Sequence, residues 1–174
     1  MEEINSLEQL MTWYIQGILE TEKSFLSSLE SDVYPESSER LKKTVVESDL
    51  LCRRHIGELK KVVEALPPLS MPLGSASAMN GIILEFNELM GHIRETETAN
   101  AAILVYFQTI CHYKITAYGS ASSFARILGK EQLSARLHHL LVEEKSLDES
   151  LSKLAESNIN QHAISRQVPP HLEN

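Results

Sequence analysis

Apolar residues recur along this chain at alternating spacings of three and four, the pattern of helices that each bury one face. One stripe reads Leu7, Met11, Tyr14, Ile18, Phe25 and Leu29, with Glu22 standing inside it. A second reads Val45, Cys52, Ile56, Leu59, Val63 and Leu66, interrupted by Asp49. A third reads Leu104, Phe107, Cys111 and Tyr118, interrupted by Lys114. A fourth reads Leu133, Leu137, Leu140, Leu147, Leu151 and Leu154, interrupted by Glu144, with Asp148 one turn later at its edge.

Turn and cap residues divide the chain into five predicted helices. The first spans about Asn5 to Leu29, with Ser6 as its N-cap, and ends before the SDVYPESS turn. The second starts at Ser37 or Ser38 and runs to Leu66, where the Pro- and Gly-bearing stretch LPPLSMPLGS forms a linker. A shorter third helix covers about Ser75 to Glu95. The fourth begins near Thr98 and closes on Gly129 as a C-terminal cap, and the fifth covers Lys130 to Asn158. Short 1–2 and 4–5 turns with one long 2–4 connection predict an all-α crossover bundle of ferritin-like topology: four long helices plus one shorter helix in the crossover. Residues 1–160 form the single bundle in this reading, and residues 161–174 a tail.

Composition narrows the picture. The 174 residues include 24 Asp and Glu against 16 Lys and Arg, a net charge of -8, which disfavours a phosphate-backbone partner such as nucleic acid. Gly and Pro, at 7 and 6, are too few for the turns of an all-β fold of this length. No apolar run is long enough to span a membrane. The acidic N-terminus MEEINSLEQL does not read as a signal peptide, and the two cysteines, Cys52 and Cys111, have no metal-binding spacing. Cytoplasmic residence is the expectation.

A charged residue in the middle of a core stripe is costly unless paired or metal-bound. Mid-bundle carboxylates are how ferritin-like bundles hold two metal ions, with a Glu from each of two helices and a Glu-x-x-His pair from each of the others. No such pair occurs on the long helices, and only His112 of the seven histidines lies near a core face of a candidate site helix. There is also no nucleophile–base motif for hydrolysis.

The segment CHYKITAYGSASSFARILG resembles the EHYEIAAYGT…LAEQLG signature of the bacterial YciE/YciF-type ferritin-like family. TEKSF, SAMNGIILEFNELM, HIGELKKVVEAL and LLVEEKSLDESLSKLAESNIN are similar to further blocks of that family, so the resemblance spans roughly residues 5 to 160. It implies a bacterial stress-associated helical bundle that can hold a dinuclear metal centre and tends to form a homodimer, with no agreed reaction. Residue by residue, the family's ligand positions are kept at Glu22, Glu143, Glu144 and Asp148. Its EHYE glutamates become Cys111 and Lys114 around His112, its AMEG glutamate becomes Asn80, and its Asp opening the fourth helix becomes Asn100. Two leucines, Leu50 and Leu51, replace the acidic pair of its HLEET block, beside Asp49. The ligand set is therefore degenerate.

Several expectations follow. Lys114 either replaces the metal's charge by pairing with Glu22, Glu144 or both, or extends along its stem to solvent. A reduced metal site, for iron or manganese, would use Glu22, Glu144 and Asp148, helped by His112 or Asp49. Cys111 is either a redox nucleophile or inert packing, with a disulfide to Cys52 geometrically open. His55, His92, His138 and His139 read as surface or edge residues, and Gly119 as a point of close helix approach or a kink. Two function classes compete: a non-enzymatic protein acting by association with no cofactor, and a ferritin-type metal-dependent oxidoreductase or metal store. The ligand count favours the first.

Overall fold

The computed structural model describes residues 3–29, 38–67, 69 and 76–165. The SDVYPESS turn (Ser38 excepted), most of the LPPLSMPLGS linker and the end of the tail, residues 166–174, lie outside the described residues. Helices form where the stripes predict them: α1 Leu7–Leu29, α2 Glu39–Glu64, α3 Ser77–His92, α4 Thr96–Ile127 and α5 Glu131–Leu154.

Local chemistry sets the helix ends. Ser6 Oγ accepts the Gln9 amide at 3.1 Å and Ser38 Oγ the Leu41 amide at 3.3 Å, each capping a first turn. At the end of α4, Gly129 takes φ +70°, and the Lys130 amide donates back to the Ala125 carbonyl at 2.9 Å, a left-handed glycine cap. The fifth helix outruns its predicted end. After Leu154 the backbone makes a π-helical turn, Ala155–Ile159, and continues as α6, Asn160–Ser165. The buried Ile159 joins the core cluster, and packing of this turn and α6 against α4 carries the chain past Asn158.

Two apolar clusters fill the bundle. One joins Phe25, Leu41, Cys52, Met79, Ile103, Phe107, Cys111 and Leu151; the other joins Met11, Ile15, Ile18, Leu59, Val62, Tyr118, Ala121 and Leu137. The end of α1 therefore meets the start of α2, so these helices are antiparallel. By the same test α2 runs parallel to α4, and α5 runs against α4, as the Ser122–Ser134 and Gln108–Ser152 hydrogen bonds require. Parallel α2 and α4 need a connection that returns along the bundle, and α3 lies within it. This is the predicted crossover. Among the described residues no helix is long and apolar enough to cross a membrane.

Gly119 differs from expectation. A Cβ there would stand 3.9 Å from Leu141 Cδ2, an ordinary contact, and α4 runs through it unbroken. The small residues that tie α4 to α5 are Ser122 and Ser134, whose hydroxyls each donate to the other's carbonyl at 3.0 Å.

The clusters predict where truncation matters. Ile15→Ala and Leu137→Ala, at fully buried positions, each cost about 2–5 kcal/mol, whereas Leu50→Ala, at 61% exposure, stays within about 0.5 kcal/mol. Urea denaturation of the three variants measures the contrast.

Candidate functional site

Between the two apolar clusters lies a polar layer fed by all four long helices. Glu22 enters from α1, His55 from α2, Lys114 and Tyr118 from α4 and Glu144 from α5, and all five are buried. Each sits one helical turn from apolar neighbours on its own stripe, so the stripes that bury the leucines also bury the charges.

Lys114 is the hub. Its Nζ lies 3.0 Å from Glu22 Oε2 and 2.5 Å from Glu144 Oε1, and 5.2 Å from the Phe25 ring centre. The ammonium therefore bridges two carboxylates inside the bundle and does not reach solvent. Glu22 is densely partnered. Tyr118 donates its hydroxyl to Oε1 at 2.8 Å, His55 Nδ1 stands 3.1 Å from the same oxygen, and the Cys52 thiol donates to Oε2 at 3.0 Å. Glu144 is held differently. Lys114 and His55, the latter at 3.3 Å, approach Oε1 at ion-pair distance, yet neither of its carboxylate oxygens receives an aligned hydrogen bond.

His55 completes the layer. Its Nδ1 faces Glu22 and Glu144, and its Nε2 lies 3.0 Å from Glu143 Oε2. With carboxylates on both ring nitrogens, both must donate, so the ring is an imidazolium. Glu143 is 23% exposed and passes the contact outward to Arg54 at 2.7 Å, at the edge of a surface groove of about 280 Å³ lined also by Arg136, Leu140 and His139.

The titration behaviour follows from these contacts. Burial pushes Glu22 up, but the Lys114 charge and the His55 and Cys52 hydrogen bonds outweigh it and hold the carboxyl at about 2. Burial pushes His55 down, and its carboxylate partners Glu144 and Glu22 overcome that to hold it at about 9. Lys114 is raised above its ordinary value: burial works against the charge, but Glu144 and Glu22 more than offset it. Tyr118, Cys52 and Cys111 are all pushed up, first by burial and then by the neighbouring carboxylates. High-pKa buried thiols are poor nucleophiles, so Cys111 is packing, and both cysteines are free.

The remaining expected residues fall outside this layer. Asp49 is turned to the bundle edge, where Arg53 grips it through Nε at 2.8 Å. The buried row of α2 is Leu41, Ser48, Cys52, His55, Leu59 and Val62, rotated from the predicted row so that His55 replaces Ile56. Asp148 lies one turn beyond Glu144 and meets the exposed His112 at 3.4 Å instead of joining Glu22. Asn80 is exposed on α3, and Asn100 is buried near the start of α4. His55 is the residue that sequence reasoning assigned wrongly. It is fully buried because three carboxylates from two other helices surround it, and no neighbour in its own segment signals that.

Residues 6–164 match the family described as Domain of unknown function (DUF892). The chain belongs to this family. Protein YciF of Escherichia coli (strain K12) is 27% identical over 160 residues, covering 92% of this chain and 96% of YciF. The crystal structure of the E. coli stress protein YciF matches with a TM-score of 0.82 at 26% identity, covering 91% of this chain and 99% of that one. YcfI from Rhodopseudomonas palustris matches with a TM-score of 0.79 at 24% identity, over 87% and 96% of the two chains, a likeness of fold. The family and the helical-bundle fold expected from the CHYKITAYGS block are thereby shown.

A dinuclear metal centre does not fit this DUF892 chain. The space between Glu22 and Glu144 is taken by the Lys114 ammonium, and the neighbouring Cys111 and the exposed Asn80 offer no carboxylate to it. A buried ammonium in contact with both carboxylates repels a second cation at the same distance.

Lys114→Met leaves two carboxylates buried without their cation and costs about 3–5 kcal/mol, while the triple change Lys114→Met, Glu22→Gln, Glu144→Gln recovers part of that loss in urea denaturation. The His55 contribution is present in full below its ordinary pKa of 6.5 and is lost as pH rises through about 9. The Glu22 contribution is present above 4.5 and is lost as pH falls toward about 2. Thermal stability should therefore peak between 4.5 and 6.5 and fall on the alkaline side by about 2–3 kcal/mol, with His55→Gln flattening the alkaline limb.

Proposed function

We propose that this DUF892 chain is a stress-associated helical-bundle protein that acts by association and not by metal chemistry. The observation that carries the reading is the buried Lys114 nitrogen lodged between Glu22 and Glu144, where a metal would have to sit. Its counter-charges are satisfied from within the chain, so the bundle needs no cofactor to hold its carboxylates together. The stress association is supported by the similarity to the E. coli stress protein YciF. Action by association is supported by exposed apolar side chains along the α3–α4 groove, where Leu89 and Val105 flank the stacked Phe86–Tyr106 pair. A homodimer in the cytoplasm is the form proposed, on the family resemblance.

One observation favours the second reading, a metal-binding oxidoreductase or metal store using iron or manganese. Glu22, His55 and Glu144 offer ligand atoms all within 4.8 Å of one another. Elemental analysis of protein purified without chelator, paired with a ferrous-oxidation assay, separates the readings. Substoichiometric iron and manganese with no acceleration of oxidation is expected. One or more ions per chain would support the metal reading and remove the proposal.

A further inference from the structure

A groove of about 600 Å³ opens between the end of α2 and the α4–α5 turn, away from the polar layer. Its floor is apolar: Val62 is buried, and Leu66 and Leu133 are half-buried against the second cluster. Its walls carry Lys61, Lys130 and Arg136 against one carboxylate, Glu131. That reverses the balance of the whole chain, in which 24 acidic residues outnumber 16 basic ones. Pockets of about 300–1,000 Å³ with apolar lining and a few polar groups are those that take small ligands.

The groove's own contacts narrow the ligand. Lys61 is tied to Glu58 at 2.7 Å and Lys130 to Glu8 at 2.9 Å. The last turn of α2 closes on itself, the Ala65 amide donating to the Val62 carbonyl and the Leu66 amide to the Val63 carbonyl, each at 3.1 Å. Arg136 forms no ion pair among the described residues. Glu58 is held below the usual carboxylate range by the Lys61 hydrogen bond and charge, and Arg136 adds only a more distant field. Arg136 also lines the adjoining groove of about 280 Å³, which shares Val62 and continues over the buried Leu137 and Leu140. A guanidinium with unused donors between two apolar stretches suits a planar anion held by two parallel hydrogen bonds.

We propose that this groove between α2 and α5 binds one small amphipathic carboxylate, its charge on Arg136 and its apolar body over Val62, Leu66 and Leu133. The ligand's two halves match the two halves of the lining. Its chain covers leucine and valine surface that the bundle leaves uncovered, and its carboxylate answers the cation that lacks an acid. Glu131 on the same wall opposes a ligand of higher negative charge, so a monoanion fits better than a polyphosphate. The site lies on a different face from the α3–α4 groove and does not depend on the charge of Lys114.

Titrating decanoate, below its micellar range, into the nitrogen-labelled full chain and following the amide NMR signals tests this. Saturable binding of one decanoate per chain is expected, with shifts concentrated in residues 61–66 and 129–136. Acetate, which has the charge without the body, and decanol, which has the body without the charge, should each bind more weakly. Arg136→Glu, at an exposed position that the fold tolerates, should weaken decanoate binding by about tenfold or more. Lys43→Glu, exposed near the opposite end of α2, should leave it unchanged. The absence of saturable binding overturns the proposal, as does decanol binding as tightly as decanoate or an Arg136→Glu variant of unchanged affinity. Shifts that gather at Leu89 and Val105 would move the ligand to the α3–α4 groove and overturn it too. Shifts that track protein concentration and not decanoate would assign this face to a second copy of the chain instead.

Discussion

A charge buried in a protein needs an opposite charge at contact distance, and in this bundle that requirement organises the centre. Lys114 supplies one ammonium to two carboxylates, Glu22 and Glu144, that sit at full burial on helices either side of it. His55 adds a second positive charge against the same pair and against Glu143. The layer formally balances two charges with two, and Glu143 is balanced in turn by Arg54 at the surface. The gross desolvation of these groups is several kcal/mol each, so the layer contributes little net stability while complete and costs much when any member is removed. It also fixes register. A helix that slid by one turn would place a leucine against Glu22 and leave a carboxylate orphaned, so the two apolar clusters on either side are held in one alignment.

Much of this was legible in the stripes. Glu22, Lys114 and Glu144 each interrupt an otherwise apolar row, and a charge in such a row must find a partner at the same depth on a neighbouring helix. The crossover topology was legible for a related reason: two short turns and one long connection leave few ways to close four helices. His55 was not legible because α2 carries two rows that share Cys52 and Leu59. The row through Asp49, Ile56 and Val63 is the more apolar, whereas the buried row passes through Ser48, His55 and Val62. What selects it is Glu22 and Glu144, about 30 and 90 residues away in sequence, and local periodicity carries no trace of them. Asp49 was free to turn outward because Arg53, four residues on, satisfies it at the surface. The π-helical turn after Leu154 has the same kind of cause, long-range packing of this turn and α6 against α4.

Membership of the DUF892 family and the likeness to YciF place this bundle among proteins of one shape. Within that shape the chain has an internal cation where a ferritin-like bundle can place a metal. Around that cation Tyr118, His55 and Cys52 hold Glu22 in place through their contacts with its carboxylate. Under the proposed reading, the exposed apolar groove between α3 and α4 is the surface that bears on association.

The polar layer requires Lys114 to be charged in the interior of the folded protein. Side-chain nitrogen NMR of protein labelled at lysine, followed as a function of pH, tests it directly. An ammonium signal from Lys114 that persists beyond the ordinary lysine pKa of 10.5 and exchanges slowly with water is expected. A neutral amine at pH 7, or a rapidly exchanging signal typical of a surface lysine, would contradict it.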